Sequence, residues 1–339
     1  MNTSGAVQQP PSGPDGAFYS NRRVLITGGN GFLGLNLLAA LQAHGADIGI
    51  LSRSELPDSG ELGSLLKSVR HYRGDLRDPE VVAEAVDGCH VVFNLAAHSG
   101  SISSNDEPFD DLDMNLRGQL TLLERCRRLD PLPTIVYPSS RLVYQPTDNL
   151  PVCESALTGP LSLYGVHKLA AEHYHLLYRR LYGLPAVILR ITNPYGPFQR
   201  ETQDRYGIIN FFIHQAVHGL VLPIYGNGHQ LRDYVHVDDV VRAFLLAGAD
   251  RTADGMILNV GSGVGVSFQE MAQTIVREAG SGEVTHVGWP ADAARVETGD
   301  FVADISRIGE VLGWRPNVSF AKGLRRVVQH YVSIGRRTD

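Results

Sequence analysis

The sequence predicts an α/β protein built on a doubly wound parallel sheet, with a smaller mixed α/β C-terminal domain. Three observations predict it. Short β-rich runs alternate with helical stretches from residue 23 onward, the pattern of βαβ units with a parallel sheet covered on both faces. A glycine-rich turn joins the first strand to the first helix. After Ile191 the texture changes, to a polar, turn-rich stretch and then to mixed short elements.

The elements follow in order. Residues 1–21 begin "MNTSGAVQQPPSGPDGAFYS", rich in Pro, Gly and Ser and without an apolar h-region, so they read as a disordered tail and not a signal peptide. "RVLIT" (23–27) is a strand and "FLGLNLLAALQAH" (32–44) a helix; "DIGIL" (47–51), "VRHYR" (69–73) and "HVVFNL" (90–95) are further strands. A helix over 114–129 precedes the strand "TIVYP" (134–138). The helix carrying "YGVHK" (164–168) runs to Gly183, a helix stop, and leads to the strand "AVILRI" (186–191). "TNPYGPFQRETQDRYG" (192–207) is a long loop, and loops of that length inside a compact chain are usually functional. An amphipathic helix near 319–334 ends the chain. This order divides the chain into a cofactor domain (22–192 plus about 234–262) and a substrate domain (193–233 and 263–335).

The composition is that of a globular chain, with 43% hydrophobic and 19% charged residues among 339. A net charge of −6 argues against nucleic acid or an anionic membrane as the main partner. No run of 18 apolar residues occurs, so no membrane span is expected. Cys89, Cys126 and Cys153 lie far apart without metal-ligand spacing, which predicts reduced thiols, no metal and a cytoplasmic location.

"VLITGGNGFLGLN" places Gly28, Gly31 and Gly34 between strand and helix; Gly29, Gly31 and Gly34 also fit G-x-G-x-x-G. Glycines there permit a tight turn, close approach of a pyrophosphate to backbone and close helix–strand packing, with the helix N-terminus facing the anion. This is a Rossmann-like dinucleotide loop, in which Phe32 and Leu33 open the helix. The end of the second strand selects the ribose. In place of an acid for the 2′-hydroxyl of NAD stand Ser52 and Arg53. A guanidinium suits the 2′-phosphate of NADP; the other reading is a solvated arginine with NAD bound, and both stay open.

The strand "TIVYPSSRLVYQ" runs into Ser139 and Ser140 at the sheet's carboxyl edge, where ligands sit. Tyr164 and Lys168 share one helix face at i and i+4. With Ser140 they suggest a Ser–Tyr–Lys constellation. Together with TGGNGFLG, GDLRD (74–78), NLAA (94–97), NPYGP (193–197), RDYVHVDD (232–239) and NVGSG (259–263), in that order, the chain resembles the extended short-chain dehydrogenase/reductase family, in its nucleotide-sugar epimerase/dehydratase branch. The resemblance covers about residues 22–334.

It implies NAD(P) chemistry on a nucleotide-diphosphate sugar. Tyr164 would take the proton of a sugar hydroxyl, Ser140 would hydrogen-bond the reacting oxygen, and Lys168 would hold the nicotinamide ribose and favour the phenolate. A free tyrosine titrates near 10, and lowering that by about three units requires roughly 4 kcal/mol, within reach of two nearby cations in a cleft. By the same resemblance Asp75 and Leu76 would meet the adenine, and Leu95, Ala96 and Ala97 would wall the dinucleotide. Asn193, Asn210, Pro223, Tyr225, Arg232 and Arg295 would contact the nucleoside diphosphate, although the spacing around "RVETGD" departs from the usual pattern; Arg232 suits a pyrophosphate, and its lesser reading is a surface ion pair. Asn115 reads as structural, and His98 and His167 as ordinary histidines without metal spacing.

One departure bears on the reaction. Relatives that eliminate water carry an Asp-Glu pair after the Ser/Thr, and decarboxylating relatives a Glu at the second position; here Arg141-Leu142 stand there. Oxidation and re-reduction at one carbon needs neither acid, so an epimerase is expected. The alternatives are an NADPH-dependent ketoreductase, a 4,6-dehydratase or a non-catalytic NAD(P)-sensing protein. The resemblance further implies a homodimer in which the 114–129 and 164–182 helices pair through Leu120, Leu123, Leu176, Leu177 and Leu181.

Overall fold

The computed structural model describes residues 15–57, 60–98, 100–199 and 207–335. The first half of the chain supplies strands β1 (Arg23–Thr27), β2 (Asp47–Ser52), β3 (Arg70–Arg73), β4 (Val91–Asn94), β5 (Thr134–Ser140) and β6 (Ala186–Ile191). The second half supplies β7 (Asn193–Tyr195), β8 (Val221–Tyr225), β9 (Leu231–His236), β10 (Ile257–Val260), β11 (Gly265–Ser267) and β12 (Glu283–Val287). The large sheet is parallel throughout, in the order β3-β2-β1-β4-β5-β6-β10. The winding direction reverses between β1 and β4, and the carboxyl ends of those strands border a crevice, the usual ligand position in such sheets.

Both faces of this sheet are covered. On one, Leu38, Ile50, Phe93, Phe244 and Trp314 share a core; on the other, Val82, Val92, Leu123 and Ile135 do. A third core, with Ile213, Leu222, Tyr234, Ile275 and Val328, packs under two small sheets, β11-β9-β7 and β12-β8. The helix Val237–Ala249 follows β9 yet buries Val240 and Phe244 in the first core, so the chain returns to the large sheet before β10.

Four expectations need correction. Part of the N-terminal tail is ordered: Asp15–Tyr19 is a helical turn, Tyr19 is fully buried, and its hydroxyl donates to the Leu245 carbonyl at 2.7 Å. Residues 1–14 lie outside the described residues. The helix expected over 114–129 begins as a π-helical turn, Asp113–Arg117, and continues as Gly118–Cys126. The wide turn places Met114 on the crevice and sends the Asn115 side chain to both backbone groups of His98, at 3.1 and 2.8 Å. The loop expected over 192–207 contains β7, which pairs with β9; residues 200–206 lie outside the described residues. Among the leucines expected at a dimer surface, Leu123 is fully buried and Leu176 packs with Tyr137 and Ile188, whereas Leu177 and Leu181 are 39% and 56% exposed. Among the described residues no helix is long and apolar enough to cross a membrane.

Candidate active site

A cleft of about 800 Å³ opens at the carboxyl ends of β1, β4 and β5. Its floor is the glycine turn. Gly28 has φ +67°, and a Cβ there would stand 3.0 Å from the Ala96 Cα. A Cβ at Gly34 would lie 2.6 Å from the Gly28 carbonyl oxygen, so only glycine lets the Phe32–Ala43 helix sit this close to the turn. That helix starts at Gly31 with no side-chain cap and no acidic residue in its first turn, leaving its N–H groups for an anion. Thr27 and Asn94 tie the strand ends together at 3.1 Å, and the Ala96 N–H donates to Thr27 Oγ1 at 2.9 Å, fixing the wall of Leu95, Ala96 and Ala97. Phe32, Leu33 and Leu76 complete this half. Glycines that leave room, open helix N–H groups and a rigid apolar wall fit a dinucleotide.

At the end of β2, Ser52 is buried and its Oγ lies 3.0 Å from His71 Nε2. Arg53 is exposed on the cleft rim. Asp75 is turned away from the lining: Arg77 binds both its oxygens at 2.9 Å, and those bonds hold its carboxyl below the usual range.

The reactive group of residues sits opposite. β5 extends two residues past its expected end, so Ser139 and Ser140 are still strand and pair with Arg190 and Ile191 of β6. Ser140 Oγ accepts the Leu142 N–H at 3.2 Å, which leaves its own hydrogen to donate. The helix Leu163–Tyr182 is capped by Ser162, and its first amides are also met by side chains of the Ser101–Asp106 helix: Leu163 N–H by Asn105 at 3.1 Å and Tyr164 N–H by Ser104 at 3.0 Å. A Cβ at Gly165 would come 2.5 Å from the Leu142 carbonyl oxygen, so this glycine brings the helix against the end of β5. Tyr164 and Lys168 therefore share the face that lines the cleft. Lys168 Nζ is 5.7 Å from the Tyr164 ring centre and donates to the Pro138 carbonyl at 2.8 Å. Burial lowers its ammonium to about 8, with the Asp111 and Glu172 carboxylates pulling the other way.

One turn further along, Glu172 is buried, receives Arg190 at 2.9 and 2.7 Å and accepts the Ser139 hydroxyl, locking helix and strand together. Sequence reasoning missed Asp111. It is fully buried, binds His167 Nδ1 at 2.5 Å, and lies 3.4 Å from Nδ1 of His98, which lines the cleft. Nothing local marks it, because its partners are 13 and 56 positions away in sequence.

On the substrate side the cleft is lined by Asn193, whose Oδ1 accepts from Arg141 Nε at 3.0 Å. Five further residues named from the sequence are, like Asp75, not brought to the lining. Arg232 is 4% exposed, paired with Glu297 at 2.5 Å and bound to the Gly299 carbonyl at 2.7 Å. Asn210 donates to the Gly196 carbonyl at 2.8 Å and to the Tyr331 hydroxyl at 3.0 Å. Pro223 lies within β8, Tyr225 packs on Trp289, and Arg295 is exposed at the end of the short Ala291–Arg295 helix. Among the described residues no group of three His, Cys, Asp or Glu could hold a metal.

Known proteins resemble this chain over most of its length. The chain is 32% identical over 307 residues to a putative UDP-glucose 4-epimerase of Methanocaldococcus jannaschii, covering 90% of this chain and 97% of that one. It is 30% identical over 323 residues to a dTDP-glucose 4,6-dehydratase of Streptomyces niveus, covering 91% and 92%. The crystal structure of UDP-glucose 4-epimerase with UDP-glucose from Thermotoga maritima superposes with a TM-score of 0.85 at 28% identity, covering 92% and 99%. The model of the "NAD dependent epimerase/dehydratase family" matches residues 24–261, a span that takes in the glycine turn, the serine strand and the tyrosine helix. The chain belongs to that family, and its cleft is built for a nicotinamide dinucleotide.

Proposed function

We propose that the protein is a nucleotide-diphosphate-sugar epimerase that inverts one sugar carbon, C4, through a transient keto-sugar. One observation carries this reading: Ser140, Tyr164 and Lys168 line the cleft while Arg141 and Leu142 occupy the two positions where eliminating relatives need acids. When bound, the nicotinamide supplies a hydride acceptor and donor. Gly28, Gly31 and Gly34 hold the pyrophosphate, and Lys168 holds the nicotinamide ribose. Tyr164 takes the sugar hydroxyl proton and returns it, Ser140 donates to the reacting oxygen, and the Lys168 cation favours the phenolate. Asn193 holds the diphosphate while the sugar half turns over. In this reading residues 193–233 and 263–335 form the substrate domain. The enzyme is a cytoplasmic homodimer with reduced cysteines, and burial raises the thiols of Cys89 and Cys126 above their ordinary value.

Arg53 on the rim favours NADP, and it also supports a second reading, an exchangeable-NADPH ketoreductase. The two are separated by the nucleotide that leaves the purified protein on denaturation and by turnover of UDP-glucose, the ligand of the Thermotoga maritima enzyme. The epimerase keeps oxidised NAD(P) through purification and interconverts UDP-glucose and UDP-galactose with no added cofactor. Cofactor-free protein that consumes NADPH mole for mole with a keto-sugar overturns it.

A further inference from the structure

Arg141 directly follows Ser140, yet it is 9% exposed and does not line the cleft. Its Nε donates to Asn193 Oδ1 at 3.0 Å, its Nη1 donates to Thr298 Oγ1 at 2.8 Å, and the guanidinium lies 5.4 Å from the centre of the Phe301 ring. A buried cation is costly to keep, and this one is spent on a neutral amide. The consequence falls on Asn193. The two ends of an asparagine amide are nearly the same size, so packing alone does not decide which faces a ligand. A guanidinium does decide it, because it only donates: it accepts Oδ1 as a neighbour and repels Nδ2. Asn193 lines the cleft, and its Nδ2 meets no acceptor among the described residues and is not sealed from solvent. Its two N–H donors are therefore left to the cleft, which Ser140 and Leu142 also line.

We propose that Arg141 is a positioning residue: it fixes the Asn193 amide with its N–H groups toward the cleft, ready for the diphosphate oxygens of the sugar nucleotide. The proposal rests on the nucleotide-sugar reading above. The wrong amide orientation would present a carbonyl oxygen to an anion. The same cation leaves no proton acceptor at the position where eliminating relatives carry an acid. Burial, with Arg232 nearby, lowers Arg141 to about 9, so it stays charged at neutral pH.

The test is a double-mutant cycle on NAD-loaded protein, with UDP as the probe and calorimetry as the readout. Arg141→Met and Asn193→Ala should each weaken UDP binding about ten-fold or more, the value of a hydrogen bond to a charged acceptor. The double variant should bind no more weakly than Asn193→Ala alone, since Arg141 has nothing left to orient, and Arg141→Lys should recover part of the loss. Bound NAD content should be the same in every variant. Should Arg141→Met fail to fold, Arg141→Gln enters the cycle in its place. Losses that add, UDP binding equal to wild type in the Arg141 variant, or a fall in NAD content each overturn the proposal while the nucleotide reading stands. Wild-type protein that binds neither UDP nor dTDP overturns that reading and the proposal with it.

Discussion

At the scale of single residues, the proposed mechanism places its acid–base chemistry on one oxygen atom, the Tyr164 hydroxyl. Tyr164→Phe keeps the ring beside Lys168 and removes only the hydroxyl. Turnover should fall by about 10²–10⁴-fold while the nucleotide retained after purification stays near the wild-type level; full activity would remove Tyr164 from the mechanism. Lys168 makes a separate prediction about stability in the cofactor-free protein. The folded protein releases the Lys168 proton near pH 8, but the unfolded chain holds it to about 10.5. Between those values the unfolded state binds the extra proton, so stability due to this group rises with pH through that window. The gain is about 3 kcal/mol. Lys168→Met lacks it, so urea titrations should show the wild type gaining by about that amount on the variant between pH 8 and pH 10.5. A constant difference would place the ammonium in a more solvated site than the structure shows. Ser140, Tyr164 and Lys168 were legible because their spacing follows from a strand end and one helical turn. Asp111 was not, since a lone Asp among acidic neighbours reads as solvated until the fold buries it against His167.

At the scale of elements, β1, β2, β4, β5 and β6 were legible because each is a largely apolar run between helical stretches, and the glycine turn fixes where the first unit begins. β3, RHYR, was read as a strand despite its polar side chains, and the edge strand β10 was not read as one. The Asp15–Tyr19 end of the N-terminal tail was misread for the converse reason. Average composition over twenty residues hides Phe18 and Tyr19, which close the first core against the Val237–Ala249 helix more than 200 positions away. The Leu163–Tyr182 helix shows both sides of the problem. Its inner face is set by Lys168, Ala171, Glu172 and His175, all buried, but its outer face leaves Val166, Leu177 and Leu181 between 39% and 56% exposed. Helical spacing puts these three on one stripe, with Leu177 and Leu181 one turn apart. Apolar stripes of this kind are covered in a two-fold helix bundle. Light scattering at micromolar concentration should give a dimer for the wild type and a monomer for Leu177→Lys/Leu181→Lys. A wild-type monomer would leave the stripe uncovered and remove the dimer from the proposal.

At the scale of the whole molecule, the question is where hydrogen goes during one turnover, and the two halves of the cleft answer it together. Inversion at C4 removes one hydrogen from carbon and returns it to the same carbon from the opposite face, so solvent contributes nothing to the carbon skeleton. On the proposed reading the sugar turns over while its diphosphate stays held on the Asn193 side, and no base reaches C5, whose hydrogen turns acidic once C4 is a ketone. Among the described residues lining the cleft, Glu55 is spent on Arg73 at 2.6 Å near the end of β2, and Ser140 is followed by a cation. With Tyr164 engaged at the C4 hydroxyl and Lys168 at the ribose in the proposed mechanism, His98 is the further group able to act as such a base, with Asp111 behind its ring. Turnover of UDP-glucose in heavy water should therefore give product with no carbon-bound deuterium, in wild type and His98→Ala alike. Deuterium at C5 in the wild type that disappears in His98→Ala would sink the simple epimerase reading and make His98 the second base; release of water with a lasting 4-keto product would restore the dehydratase.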